Sequence, residues 1–258
     1  MSVTLASILP VAGFALSLGL TSAALAADGA SDDQIATSDG AVAIHAIHHA
    51  ALTLTWNGVV ILVDPAPNPA AAKGSDPAPE YTALTPPTLI LYTHDHPDNF
   101  DEAILKAVAG KATLVAPEEV AAKIPADLKA QTKVMANGDK ATLNGVSIEA
   151  VAMYNTTPER LNFHPRGGGN GYVLTMGTRR IYIAGDTEET PEMKALSGID
   201  VAFLPMNLPY TMDVDHAAQA VKDFRPKIVY PYHYAGGDVG AFKAKVGDAA
   251  DVRLLKWY

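Results

Sequence analysis

Hydrophobic residues in the first part of the chain fall into short runs that are apolar throughout or alternate with polar residues. Residues 41–47, 51–56 and 59–63 show this pattern, which is typical of β-strands. The pair Asn57-Gly58 separates the last two runs and favours a tight hairpin. A fully apolar run at residues 88–92 predicts a buried strand. The chain is therefore expected to open as an antiparallel meander that leads into the interior of a sheet.

Further along, short apolar runs alternate with segments that carry helix signals. Seven prolines between Pro65 and Pro87 predict an irregular surface loop in that stretch. Because a meander and β-α units occur in both halves, the pattern predicts an α/β fold with two sheets packed face to face and helices outside. The strands are predicted at residues 112–115, 171–176, 180–184, 201–204 and 227–230, and the helices at residues 101–108, 117–123, 191–196 and 216–224.

The first 26 residues carry no charged side chain and end in Ala24-Leu25-Ala26, a small-x-small pattern of the kind that signal peptidase reads. The alternative is a short membrane anchor, but the apolar run is shorter than the roughly 20 residues that a spanning helix needs. We therefore expect a signal peptide at residues 1–26, a flexible leader at residues 27–40 and one folded domain at residues 41–258. The protein is then exported, periplasmic or secreted, without stable membrane insertion.

The composition of the chain excludes several classes of partner and of active site. The formal net charge of −9, with 19 basic against 28 acidic residues, argues against nucleic acid as a partner, because phosphate backbones require clustered cations. The chain has no cysteine, so a transition metal would have to be bound by histidine and carboxylate groups. No Gly-x-Ser-x-Gly pattern occurs, which removes the serine-hydrolase alternative.

Polar residues follow three of the apolar runs. The sequence HDHPDN at residues 94–99 follows the buried run, Asp186 follows a second run and His233 lies at the end of a third. Taken singly, these residues could be a polar loop, a helix cap and a core histidine. Strand ends that share one edge of a sheet form a crevice, and histidine and aspartate both bind zinc. Together the three strand ends favour a metal site.

The order HxHxD, then AGDT, then a late PYH resembles the metallo-β-lactamase superfamily, and the match extends from His45 to Tyr258. The resemblance implies an αββα sandwich with two metal ions at one sheet edge, and it does not identify a substrate. Further motifs resemble the branch of general metal-dependent hydrolases related to ascorbate-phosphate lactonase. They are HHA at residues 48–50, VDP at 63–65, GYV at 171–173, YIAGDT at 182–187, PEM at 191–193 and YTM at 210–212.

The resemblance assigns a role to each polar residue at the predicted strand ends. His94 and His96 match ligands of a first metal ion. Asp98 and His233 match ligands of a second ion, and Asp186 matches the carboxylate that bridges the two.

Two asparagines depart from the family pattern. Asn99 and Asn155 stand where the family has histidine ligands, and a neutral amide is a poorer ligand for zinc than imidazole. We expect both asparagines to face the substrate instead. His164 either replaces the missing imidazole or is an ordinary loop histidine. His49 is expected to line the pocket and face the substrate, not to ligate metal.

The expected function is hydrolysis of an ester, lactone, amide or phosphodiester bond in a small molecule by a metal-bound hydroxide, which Asp98 or Asp186 would orient. The expected cofactor is Zn²⁺, as one or two ions. With Asn99 in place of an imidazole, the second site is expected to be mostly oxygen and to suit Mn²⁺ or Fe²⁺ as alternatives. The oligomeric state does not follow from the sequence.

The competing interpretation is a binding protein that kept the metallo-β-lactamase fold and lost catalysis. It is motivated by the asparagines at the two expected ligand positions, Asn99 and Asn155. A redox enzyme of the same superfamily is disfavoured, because such enzymes require a richer set of carboxylate and histidine ligands around iron.

Overall fold

The computed structural model describes Met1 and residues 30–258. The predicted signal peptide, apart from Met1, lies outside the described residues. Within residues 30–258 the chain forms fourteen strands and six α-helices. No helix in this part of the chain is long and apolar enough to cross a bilayer.

The strands form two sheets of seven, one from each half of the described chain. In both sheets the early strands pair antiparallel and the later ones pair parallel. The first sheet has the order β1 (Asp32–Thr37), β2 (Gly40–His48), β3 (Ala51–Trp56), β4 (Val59–Val63), β5 (Leu89–Leu91), β6 (Thr113–Ala116) and β7 (Thr132–Val134). The second has the order β14 (Asp251–Val252), β13 (Ile228–Tyr232), β12 (Val201–Pro205), β11 (Arg179–Ile183), β10 (Gly169–Met176), β9 (Val146–Met153) and β8 (Lys140–Leu143).

Helices cover the outer face of each sheet. The helices that pack on the first sheet are α1 (Ala78–Thr82), α2 (Glu102–Val108) and α3 (Glu118–Lys123). Those that pack on the second are α4 (Pro191–Lys194), α5 (Val214–Phe224) and α6 (Val239–Val246). A third hydrophobic core lies between the inner faces of the sheets and contains Leu54, Val63, Phe203, Tyr230 and Trp257 among others. This arrangement confirms the predicted αββα sandwich.

Turn and cap residues explain several element boundaries. Asn57 and Gly58 both have positive φ, 48° and 80°, which is the backbone conformation of a two-residue hairpin turn. The β3–β4 hairpin is thus confirmed. Asp213 caps α5 by accepting a hydrogen bond from the main-chain N–H of His216, so the helix begins at Val214, two residues before the predicted start.

The prediction of a flexible leader over residues 27–40 was wrong for residues 32–37, which form β1 and pair with β2 along its whole length. The polar composition of this segment suggested an exposed leader, but the side chain of Asp33 lies in the interior. Its carboxylate is buried and accepts hydrogen bonds from Tyr230 Oη at 2.6 Å and Arg253 Nη1 at 2.9 Å. Partners about two hundred residues away satisfy this charge, and local sequence cannot show that.

Two smaller corrections concern regular elements that the sequence did not predict. The proline-rich stretch from Pro65 to Pro87 contains α1, because Pro79 lies in the first helical turn, where a missing N–H costs nothing. The helix α6 and the short strand β14 were not predicted at all.

We expect Asp33→Asn to lower the free energy of unfolding by about 3 kcal/mol, because it leaves Arg253 without its buried partner. Burial raises the pKa of Asp33, but the bonds from Tyr230 and Arg253 outweigh it and hold the pKa below its ordinary value. The ionised carboxylate therefore stabilises fully above the unfolded pKa of about 4, and the stabilisation is lost as the pH falls through the lowered folded value.

Denaturant unfolding from pH 7 down to pH 3 measures this effect. The matched control is Asp32→Asn, since Asp32 lies on the same strand with an exposed side chain that pairs with His45. Equal destabilisation by both substitutions, or a gap between Asp33→Asn and wild type that stays constant down to pH 3, would contradict the assignment.

Candidate metal centre

Strand ends from both sheets converge on one cluster of histidine and aspartate side chains. One set comprises His94, His96, His164 and Asp186, and the other comprises His49, Asp98 and His233. Within each set the candidate ligand atoms all lie within 4.8 Å of one another. Residues 94–98 follow β5, Asp186 follows β11, and His49 and His233 follow β2 and β13. The structure therefore brings together all five residues of the predicted metal centre, and adds His164 and His49.

Asp186 lies at the junction of the two sets. Its Oδ2 atom is 3.7 Å from His94 Nε2, 3.5 Å from His164 Nε2 and 3.0 Å from His233 Nε2. Asp98 has a similar position in the second set, with its Oδ2 atom 3.0 Å from His49 Nε2 and 3.5 Å from His233 Nε2. Asp186 thus contacts histidines of both sets, and its role as the carboxylate that bridges two metal ions stays a prediction.

Several of these atoms are buried, and their contacts within the cluster do not have the geometry of a hydrogen bond. They are His94 Nε2, His164 Nε2, His233 Nε2 and Asp186 Oδ1. Buried polar atoms in folded proteins nearly always make hydrogen bonds, so four such atoms at one place mark a site that a ligand would satisfy. Imidazole nitrogen and carboxylate oxygen are both ligands of divalent zinc. The residues present therefore fit bound divalent metal ions.

Hydrogen bonds at the opposite ring nitrogen orient two of the imidazoles. His164 Nδ1 lies 3.1 Å from the carbonyl oxygen of Tyr210, which can only accept, so Nδ1 carries the proton. His94 Nδ1 lies 3.0 Å from Thr93 Oγ1, whose own proton goes to Asp64 Oδ2 at 2.7 Å. Each Nε2 lone pair is therefore directed at the cluster, which is the arrangement that metal-ligating histidines adopt.

His49 has a comparable partner in Tyr258. The Tyr258 hydroxyl lies 2.7 Å from His49 Nδ1 and accepts a hydrogen bond from the main-chain N–H of Ala235 at 3.1 Å. The His49 ring is also packed against the His233 ring, with centroids 3.8 Å apart. Tyr258 therefore fixes the orientation of His49 and leaves its Nε2 atom facing Asp98.

Electrostatics in the cluster favour a cation. Burial lowers the pKa of His94 to about 3, which keeps its imidazole neutral and able to ligate. Burial alone would raise the pKa of Asp186, but His233 and His164 outweigh it and hold the pKa well below its ordinary value. Although burial lowers the pKa of His233, the adjacent Asp186 and Asp98 raise it to about 10. The two carboxylates are thus ionised and stabilise positive charge between them.

The backbone is in a rare conformation at several of these positions. His49 and His233 have φ values of 51° and 45°, in the left-handed region that residues with a side chain seldom adopt. The N–H of His233 donates to the carbonyl of His49 at 2.9 Å and so joins the two strand ends. Gly185, with φ of 67°, precedes Asp186, and a Cβ there would lie 2.5 Å from Met153 Sδ. Strain of this kind is concentrated at functional sites.

A cavity of about 360 Å³ opens onto the cluster. Such a volume suits a small molecule. The cavity is lined by His96, Pro97, Asp98, Phe163, His164, Asp186, Asn207, Tyr210 and His233.

The two asparagines do not face this cavity, and the prediction that they contact the substrate was wrong. Asn99 is fully buried and donates from Nδ2 to Asp64 Oδ2 at 3.2 Å. Asn155 is also buried, and its amide donates to the carbonyl oxygens of Arg160 and Tyr210. Both support neighbouring loops, and neither side chain is open to a bound molecule.

The expected oxygen-rich second site is corrected as well. His49, which we expected to face the substrate, lies with Asp98 and His233, so that two imidazoles belong to this set. The sequence could not show this, because His49 reaches the cluster only through its left-handed backbone conformation. His164 lies with His94, His96 and Asp186, which favours the alternative in which it replaces the missing imidazole; that role stays a prediction.

Comparisons with known proteins agree with this geometry. The family model described as a beta-lactamase superfamily domain matches residues 43–233. A metal-dependent hydrolase from Thermococcus onnurineus is 33% identical over 207 residues, which are 76% of this chain and 88% of that protein. The crystal structure of a candidate metal-dependent hydrolase from Parabacteroides distasonis is 41% identical, covers 88% of this chain and 99% of that chain, and has a TM-score of 0.78. A metallo hydrolase from Ignicoccus hospitalis is 27% identical, covers 83% and 94% of the two chains, and has a TM-score of 0.68.

The chain therefore belongs to the metallo-β-lactamase superfamily. The narrower resemblance to ascorbate-phosphate lactonase stays a prediction.

We expect Tyr258→Phe to weaken metal binding by the His49–Asp98–His233 set roughly tenfold, the usual cost of removing the partner of a ligating histidine. The other set, which Tyr258 does not touch, should keep its affinity. Zinc titration of the chelator-treated protein in competition with a chromogenic chelator measures both affinities.

The matched control is Tyr234→Phe, which removes a hydroxyl from the ring packed 4.8 Å from Tyr258 and leaves the bond to His49 in place. Unchanged zinc affinity in Tyr258→Phe, or an equal loss in both variants, would show that Tyr258 does not orient His49.

Proposed function

We propose that the protein is a zinc-dependent hydrolase of a small molecule, with two ions held by the two ligand sets that share Asp186. The observation that supports the proposal most strongly is the group of buried, unpaired ligand atoms beside an open cavity. The metal-dependent hydrolases among its relatives support it further. The bond cleaved is an ester, lactone, amide or phosphodiester bond.

Zinc bound in such a site lowers the pKa of a water molecule towards neutrality and polarises a carbonyl or phosphoryl oxygen. Of the two carboxylates, Asp98 is the one that a water molecule in the cavity can reach, because its side chain is 39% exposed whereas that of Asp186 is 3% exposed. Asp98 is therefore the carboxylate that orients the attacking water. Asn207, which also lines the cavity and has its amide 3.5 Å from His233 Nδ1, can donate that amide to a substrate oxygen.

Zinc is the proposed ion for both sets. The first set offers three imidazoles and the second offers two, and imidazole suits zinc better than it suits manganese. Mn²⁺ and Fe²⁺ were expected as alternatives because the second site was expected to be rich in oxygen, and His49 adds an imidazole to that site. The interpretation as a catalytically inactive binding protein rested on the loss of two imidazoles, and His164 and His49 can supply two.

We also propose that the protein is exported, on the basis of the uncharged apolar segment that ends in Ala24-Leu25-Ala26. Mass spectrometry of the protein isolated from its native host should find Ala27 at the amino terminus. A native protein that retains Met1 would contradict export by cleavage.

The test of the hydrolase is Asp186→Asn. We expect the bound zinc to fall from two ions to at most one, because both sets lose their shared charge. The hydrolysis rate should fall roughly a hundredfold or more, beyond the cost of losing a supporting residue. Elemental analysis after dialysis and a panel of ester, lactone, amide and phosphodiester substrates measure the two effects.

The matched control is Asp95→Asn, which changes a carboxylate of the same loop as Asp98. Asp95 pairs with Lys123 at 2.6 Å and belongs to neither set of candidate ligands. The Asp95→Asn variant should retain both zinc ions and hydrolyse its substrate at the wild-type rate. Wild-type turnover in a folded Asp186→Asn protein would rule out the proposed function.

A further inference from the structure

One wall of the cavity is aromatic. Phe163 and Tyr210 line it and pack edge to face, with ring centroids 5.0 Å apart. Tyr210 is 45% exposed and Leu208, on the same loop, is 50% exposed. Large apolar side chains exposed beside a polar cluster indicate a surface that is covered when a ligand binds. We call Phe163 and Tyr210 the aromatic wall.

The two loops that carry the aromatic wall are joined by hydrogen bonds from side-chain donors to main-chain carbonyl groups. Asn155 Nδ2 donates to the carbonyl oxygen of Arg160 at 3.0 Å and to that of Tyr210 at 2.7 Å. His164 Nδ1 donates to the same Tyr210 oxygen, and Arg160 Nη1 donates to the carbonyl of Thr211. The wall is therefore formed before a ligand arrives, which reduces the ordering cost of binding.

The side chains around the cavity provide no cation for an anionic group next to the aromatic wall. No lysine or arginine is among the residues that line the cavity in the described part of the chain. On the surrounding loops, Arg160 pairs with Glu188 at 2.7 Å and Arg166 pairs with Glu192 at 2.7 Å. A phosphate or carboxylate group on the part of the substrate that packs on the wall would find no free arginine or lysine, the residues that usually bind such groups.

From these observations we propose that the substrate carries an uncharged aromatic or bulky apolar group that packs on Phe163 and Tyr210 beside the bond that is cleaved. This inference rests on the proposed hydrolase and narrows its substrate class. The aromatic wall selects the apolar group, and the metal centre beside it receives the carbonyl or phosphoryl group.

Two pairs of compounds separate shape from charge. γ-Phenyl-γ-butyrolactone and γ-butyrolactone share the bond that is cleaved and differ in the phenyl group. γ-Phenyl-γ-butyrolactone and γ-(4-carboxyphenyl)-γ-butyrolactone share the aromatic ring and the cleaved bond and differ in charge. We expect kcat/KM for the phenyl lactone to exceed that for the unsubstituted lactone roughly tenfold or more, as one added group in an apolar pocket does. The phenyl lactone should also have a higher kcat/KM than the carboxyphenyl lactone.

Phe163→Ala and Tyr210→Ala should each reduce the preference for the phenyl lactone, mainly through a higher KM. Both variants keep the main-chain carbonyl that His164 contacts, so zinc content should not change. The matched control is Leu161→Ala, which removes an exposed apolar side chain of the same loop that does not line the cavity. It should leave the preference for the phenyl lactone at its wild-type value.

Binding of lactams tests the inference separately from hydrolysis. Calorimetric titration of the zinc-loaded protein should give at least roughly tenfold tighter binding of 5-phenyl-2-pyrrolidinone than of 2-pyrrolidinone, with the difference lost in Phe163→Ala. This result without any hydrolysis would support the aromatic wall and overturn the proposed hydrolase. Equal binding of the two lactams, equal kcat/KM for the phenyl and unsubstituted lactones, or a higher kcat/KM for the carboxyphenyl lactone would overturn the inference.

Discussion

The buried carboxylate of Asp186 is the group around which the rest of this structure is arranged. Removing an ionised carboxylate from water costs several kcal/mol unless positive charge and hydrogen-bond donors replace the water. In the structure three histidines lie around Asp186, of which His233 is closest at 3.0 Å. Asp186 also leaves one oxygen without a partner. A bound divalent cation would satisfy this carboxylate better than the histidines alone.

The sandwich fold supplies the groups around Asp186 from both of its sheets. The first sheet contributes His49 and residues 94–98, and the second contributes Asp186 itself and His233. Close approach of the two sheets at this edge depends on Gly185, since a side chain there would collide with Met153 and Thr93. The apolar core between the sheets therefore determines the geometry of the ligand cluster, even though none of its residues belongs to the cluster.

The fold and most of the ligands could be predicted because they depend on local patterns. Apolar runs predict strands, and a polar residue directly after a strand predicts a site at the sheet edge, which accounts for His94, Asp98 and Asp186. What the sequence did not show depends on contacts between distant residues. The strand β1 forms because Tyr230 and Arg253 satisfy Asp33.

The asparagines illustrate the limit of reasoning from a family motif. The motif identified the positions of Asn99 and Asn155 as unusual, but it could not say what an amide does there. In the structure Asn99 supports Asp64, which in turn holds Thr93 next to His94. Asn155 joins the loop of His164 to the loop of Tyr210. His49 and His164, from other segments, lie where they could supply imidazoles in place of the lost ones, and the asparagines support the loops that carry this arrangement.

The central claim is that two metal ions lie on either side of Asp186, each held by its own set of side chains. Anomalous X-ray scattering at the zinc absorption edge, from crystals of the zinc-loaded protein, measures this directly. The account predicts two anomalous peaks, one among His94, His96 and His164 and one among His49, Asp98 and His233, with the Asp186 carboxylate between them. A single peak, or zinc bound away from Asp186, would contradict it.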